Sequence, residues 1–312
     1  MKHDFVSKNK IFYTISICLM ALTLILTFVI GLNLDIQFKG GAIISYSYTG
    51  DVNANDVQSL AASTIGEKVN VQGKTDVATG KSTFDVSLAA TKGLPVETID
   101  KLTKALQEKY PDNAVTMTSS NNVDPTIGRE FFAKCMVAVA FASLVMVVYI
   151  AFRFKRIGGW SAGVMCMLAL LHDMVLVYAT FIVCQFPINE NFVVVILTIL
   201  GYSINNTIVV YDRIRENKRL GGSKLSIREL VNKSLGQSIT RAVNTTVSTV
   251  IALAVICIVA MLYGVNSILS FAFPMIIGMI SGVYSSLFIA PTLWVVWQEH
   301  KINKKKAEPA KA

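Results

Sequence analysis

The chain has 312 residues, 53% of them hydrophobic and 16% charged, with a mean hydropathy of +0.53 and a formal net charge of +9. Soluble domains carry about 25% charged residues, so the composition excludes an ordinary globular protein and points to a membrane. The cysteines Cys18, Cys135, Cys166, Cys184 and Cys257 all lie in or beside apolar stretches, with no CxxC or Cys/His ligand spacing. That pattern argues against a metal centre or a disulfide scaffold and predicts small buried side chains.

A membrane span needs about 20 mostly apolar residues. The first candidate, residues 11–31, follows a basic leader of Lys2, Lys8 and Lys10. Its apolar core exceeds the roughly 7–15 residues of a signal peptide and no A-x-A site follows, so it reads as an uncleaved anchor.

Residues 32–129 have the composition of a soluble domain. Apolar positions alternate at Ile44, Tyr46 and Tyr48, at Val69 and Val71, and at Phe84, Val86 and Leu88, with a last short strand at Val115 and Met117. A helix with Asn55 as its N-cap carries Val57, Leu60 and Ala61 and stops at Gly66. A second opens with Pro95 and lines up Ile99, Leu102, Leu106 and Tyr110 on one face. The β-α-β-β-α-β order predicts a small α+β ferredoxin-like domain. It contains neither His nor Cys and its carboxylates are scattered, which suits a binding or mechanical module better than an enzyme.

Further spans are predicted at 130–152, 160–184, 191–211, 241–262 and 267–297, giving a polytopic α-helical membrane protein with six transmembrane helices. Arg153, Lys155, Arg156, Arg213, Arg215, Lys218, Arg219, Lys224, Arg228, Lys233 and Arg241 flank these spans on the same side as the leader. So do Lys301, Lys304, Lys305 and Lys306 in the tail, residues 298–312. Basic residues mark the cytoplasmic face, so both termini are expected in the cytoplasm and residues 32–129 outside. Topology thereby accounts for the net charge without nucleic acid, although the Lys304–Lys306 tail also suits anionic membrane lipid or ribosomal RNA. Within the basic stretch 212–240, Ile227, Leu230, Val231, Leu235 and Ile239 fall near helical spacing, predicting an interfacial helix or a docking surface.

Charged groups inside the bilayer need a partner or a wet cavity. His172 and Asp173 lie mid-way along the third span and read either as an ion relay or as a structural pair. Arg241, Asn244, Thr245 and Ser248 make one polar stripe on the fifth span, and Ser203, Asn206 and Thr207 a patch on the fourth. Because lipid cannot satisfy such groups, the two patches are expected to face each other, unless Arg241 snorkels. Gly278 and Gly282, with Ser281, Ser285 and Ser286 nearby, form a GxxxG that predicts close helix packing in the sixth span, where Pro274 and Pro291 predict kinks or ends.

The chain carries a glycine-rich run from Gly31 to Gly41, then Val123-Asp-Pro-Thr-Ile-Gly128, Leu170-Leu-His-Asp173, Leu197 to Asn217, Ser238 to Thr245 and Phe273 to Ser286. Taken together and in this order, these segments resemble the SecF family of protein-export membrane proteins. The resemblance implies an auxiliary subunit that pairs with SecD and works beside the SecYEG channel. Such a subunit draws on the proton gradient to help move preproteins after SecA has pushed them. It also implies that the arginine matching Arg241 lies beside an aspartate that carries the proton. Here the chain departs: the family's Asn-Asp-Thr reads Asn205-Asn206-Thr207, and an amide cannot ionise. Coupling is then left to a carboxylate of the partner, to Asp173, or to a different device. Half of a small-molecule or lipid exporter, and a non-transporting translocon scaffold, are the competing readings. No GxxxxGK[ST] or HExxH motif suggests an ATPase or a metalloprotease, and no cofactor is implied.

Overall fold

A computed structural model describes residues 4–67, 69–75, 82–88, 94–221, 225–263 and 265–307. Lys2, Lys224 and the last residues of the tail, which entered the charge argument, lie outside the described residues.

Helix α1 (Asn9–Ile30) is an unbroken apolar helix closed by Gly31 at φ 85°. The chain then makes a short helix, α2 (Ile36–Lys39), which Asp35 caps by accepting from the Gln37 N–H at 3.0 Å. Strands β1 (Gly41–Tyr48), β2 (Val69–Thr75), β3 (Ser82–Leu88) and β4 (Thr116–Val123) form one antiparallel sheet in the order β2-β3-β1-β4. Helices α3 (Ala54–Ile65) and α4 (Val96–Lys109) supply the apolar side chains that cover it. Alternation places Ala42, Ile44, Tyr46, Phe84, Val86 and Leu88 on the inner face, against Val57, Ala61, Ile99, Leu102 and Leu106 of the two helices.

Two details differ from expectation. Asn53, not Asn55, caps α3, and its side chain accepts from the Asn55 N–H at 2.9 Å. Strand β4 runs eight residues, well past Met117, because its pairing with β1 rather than apolar alternation defines it: Thr-Ser-Ser-Asn-Asn is exposed.

Among the described residues, six helices are long and apolar enough to cross a membrane. After α1 come α5 (Pro125–Arg153), α6 (Gly159–Val183), α7 (Glu190–Gly221) and α8 (Ile227–Leu262). The last is α9 (Asn266–Tyr284), continued through a π turn at Ser285–Ile289 into α10 (Ala290–Ala307). Helices α6 and α7 are the most buried of the set, whereas α1, α5 and α8 turn most of their surface outward.

The stretch 212–240 is mostly a helical hairpin. Helix α7 runs on to Gly221, and α8 begins at Ile227 under a capping box formed by Ser226 and Glu229. Their 32 and 36 residues, at about 1.5 Å each, exceed the roughly 30 Å of hydrocarbon. The expected interfacial helix is therefore the first turns of α8, with Leu230, Val231 and Leu235 buried. No proline and only Gly236 interrupts the run, so nothing ends the helix before Leu262.

The cysteine reading needs correcting too: Cys166 and Cys257 are buried, but Cys135 and Cys184 are half-buried and Cys18 faces outward on α1. Neither proline ends the last span. Pro274 lies inside α9 and Pro291 just beyond the π turn, which is where the helix changes its winding.

The sheet-bearing domain is also tied to the bundle away from α1 and α5. Leu34 bridges Ile188 in the α6–α7 turn, the Asp35 N–H donates to Ile188 O at 3.1 Å, and the Ile188 N–H donates to Asn33 O at 2.8 Å. Phe38 packs against Phe131 and Phe132 of α5 at 5.6 and 5.1 Å between ring centroids. Gly128 lets α2 approach: a β-carbon there would sit 3.1 Å from the backbone of Gln37, Phe38 and Gly40.

Candidate functional site: a buried carboxylate caged by hydroxyls

Asp173 is fully buried where α6, α7 and the α9–π segment meet. Three serine hydroxyls donate to it: Ser203 Oγ to Oδ2 at 2.6 Å, Ser285 Oγ to Oδ2 at 2.7 Å and Ser281 Oγ to Oδ1 at 2.5 Å. His172 Nδ1 lies 3.3 Å from Oδ1 and 3.4 Å from Ser281 Oγ, while its Nε2 is buried with no partner among the described residues. Thr207 Oγ1 donates to Ser286 Oγ at 2.9 Å, and Ser286 Oγ to the Ser203 carbonyl at 2.9 Å.

Glycine spacing and helix winding build this cage. A β-carbon on Gly278 would lie 2.7 Å from Ile199 Cγ1 and 2.8 Å from Val177 Cγ2; one on Gly282 would lie 3.2 Å from Ser203 Cβ. Hydrogen there lets α9 lie close against α6 and α7, with Ser281 in reach of Asp173. The π turn begins at Ser285, and the adjacent hydroxyls of Ser285 and Ser286 serve Asp173 and the Ser203 carbonyl respectively.

Of the residues singled out in the sequence, His172, Asp173, Ser203 and Thr207 come together here. Asn206 is buried on the same helix as Ser203, but its Nδ2 has no partner among the described residues. The α8 stripe departs from expectation. Arg241, Asn244, Thr245 and Ser248 are exposed on the outside of the bundle, and the Thr245 and Ser248 hydroxyls donate to the carbonyls of Arg241 and Asn244 at 2.9 Å. A different face is buried, carrying Ala242, Thr246, Leu253 and Cys257, and it meets α7 through Thr246, whose Oγ1 lies 2.5 Å from Tyr202 Oη. The two patches thus do not face each other.

Sequence reasoning noted Ser281, Ser285 and Ser286 only as neighbours of the GxxxG. The available signal was the i, i+4 spacing of Ser281 and Ser285 in an otherwise apolar span. Chemically the site can hold an ionised carboxylate on three hydroxyl donors, or a proton shared between Asp173 and His172. Among the described residues no three His, Cys, Asp or Glu side chains converge as metal ligands.

The family model for protein export membrane protein SecD/SecF, C-terminal, matches residues 101–300. The chain is 33% identical over 293 residues to the protein translocase subunit SecF of Calditerrivibrio nitroreducens, covering 93% of this chain and 92% of that one. It is 31% identical over 310 residues to the protein translocase subunit SecDF of Bacillus subtilis, covering 98% of this chain but 40% of that longer protein. Among solved structures, SecDF from Thermus thermophilus superposes with a TM-score of 0.77 at 28% identity, over 95% of this chain and 39% of that one. The chain therefore spans about two fifths of the SecDF proteins and nearly the whole of the SecF relative. By sequence and by fold it is a member of the SecD/SecF family of protein export membrane proteins.

Proposed function

We propose that the chain is the SecF-type subunit of a protein translocase, which assists preprotein export through the SecYEG channel together with a SecD-like partner. Both termini lie in the cytoplasm, and the ferredoxin-like domain meets the emerging chain outside. The observation that carries the reading is Asp173, a carboxylate with no exposed surface, gripped by hydroxyls from two neighbouring elements. Loading and unloading a proton there changes how tightly those elements are held, because a protonated carboxyl accepts fewer of the hydroxyl donors. One proton crossing 100 mV releases about 2.3 kcal/mol, enough to bias such a rearrangement.

The outward polar stripe on α8 supports the partner. Arg241, Asn244, Thr245 and Ser248 lie where lipid offers no hydrogen bonds, and a second set of helices covering them satisfies the arginine and the amide. The relatives that carry SecD and SecF in one name are correspondingly longer.

The test is export by translocase vesicles containing the partner subunit, with and without an ion gradient. Asp173→Asn keeps the shape, removes the titratable group and should abolish the gradient-dependent part of export. Undiminished gradient dependence in that variant rules Asp173 out as the carrier. A second reading, a scaffold without transport, is favoured by Asn206, which cannot ionise. Ion flux through the wild-type complex, abolished by Asp173→Asn, separates the motor from the scaffold.

A further inference from the structure

Between the end of α5, the turn that follows it and the last turns of α7 lies a cleft of about 760 Å³. Its lining includes Arg153, Lys155, Arg156, Arg215, Lys218 and Arg219, against two carboxylates, Asp212 and Glu216. Those carboxylates are already engaged. Asp212 pairs with Arg153 at 3.3 Å and with Arg215 at 2.6 Å, and Glu216 with Arg213 at 2.6 Å. Lys155, Arg156, Lys218 and Arg219 are exposed, and among the described residues none pairs with a carboxylate. Cations held around one concavity repel each other and focus a field that an anion relieves.

The cleft also has an apolar approach. Phe152 lines it and is 60% exposed, and Lys155 Nζ lies 4.4 Å from the centre of its ring. From Phe152 a line of exposed side chains, Tyr149, Val145 and Phe141, runs back along the membrane-crossing length of α5 at helical spacing. A stripe for a hydrocarbon chain therefore ends at a pocket for an anion.

We infer that this cleft is a binding site for the phosphate headgroup of an anionic phospholipid, with an acyl chain lying along the Phe152–Phe141 face. Arg and Lys supply the charge-assisted hydrogen bonds that a phosphodiester accepts. A free phosphate or an RNA backbone makes no use of the apolar stripe.

The experiment is native mass spectrometry of the full chain released from detergent with phosphatidylglycerol or phosphatidylcholine added. Phosphatidylglycerol adducts should persist and phosphatidylcholine adducts should not. The variant K155Q/R156Q/K218Q/R219Q should lose phosphatidylglycerol about tenfold or more, since each basic residue near an anionic surface contributes several-fold. K155R/K218R, which keeps the charge, should retain the lipid. So should K8Q/K10Q/K301Q/K304Q, which removes as many charges elsewhere on the same side. Equal losses in both glutamine variants would reduce the effect to overall charge and overturn the site. Displacement by millimolar glycerol phosphate, or an RNA oligonucleotide that binds through the same four residues in preference to lipid, would also overturn it.

Discussion

Gly278 offers the sharpest test of how the carboxylate cage is assembled. Replacing it by alanine puts a methyl group 2.7 and 2.8 Å from two carbons of Ile199 and 2.8 Å from Val177 Cγ2. Both partners are fully buried, so neither has room to swing away. Overpacking of this kind costs about 1–3 kcal/mol. The same substitution raises helix propensity by about 1 kcal/mol, which partly hides the clash. Gly236 on α8 isolates the second effect, because a β-carbon there meets nothing within 4 Å. Thermal unfolding in one detergent should therefore find G236A neutral or stabilised and G278A less stable than G236A by about 1–3 kcal/mol. Trimming Ile199 in the background of G278A should recover part of the loss, the signature of a direct contact. If G278A unfolds with G236A, α9 does not approach α6 and α7 as closely as described, and the positions of Ser281 and Ser285 beside Asp173 lose their support.

Asp173→Ala should destabilise the fold by about 1–3 kcal/mol, since the hydroxyls of Ser203, Ser281 and Ser285 lose their shared acceptor; chemical denaturation checks this. Burial, with Glu190 adding to it, pushes the Asp35 carboxyl above its ordinary value. The stability linked to this group is complete below the usual carboxylate range and is lost as pH rises through the raised value. Asp35→Asn, which can still cap α2, should accordingly flatten the fall in melting temperature on going from acid to neutral pH, and an unaltered profile would refute it. Ser226→Ala removes the capping box at the start of α8 and should cost about 1 kcal/mol, read as a lowered melting temperature. Asn206→Asp should change the gradient dependence of export if that side chain lies on the ion path; an unchanged dependence excludes it.

Much of this architecture is written in local pattern. Hydrocarbon-length apolar runs marked the helices, and alternation at Ile44 and Tyr46, at Val69 and Val71, and at Phe84, Val86 and Leu88 marked three of the strands. Strand β4 was only partly legible because most of its residues are polar and its place is fixed by backbone pairing with β1. The site was legible as far as Asp173, His172, Ser203 and Thr207, because polar groups in an apolar span stand out. Its serine donors were not, since periodicity at 3.6 residues does not anticipate the π turn at Ser285. The α8 stripe was misplaced for a related reason: spacing says which residues share a face, but not which face meets a neighbour. Thr246, on the buried face with Ala242, made the contact with α7.

The clip between Leu34 and Ile188 has a mechanical corollary. Joined to α1, joined to α5 and pinned to the elbow between α6 and α7, the sheet-bearing domain is moored at three separate points. A body moored in this way cannot swivel on a single hinge. Either its tilt drags the elbow, and with it the two helices that bear Asp173 and Ser203, or the clip must unfasten first.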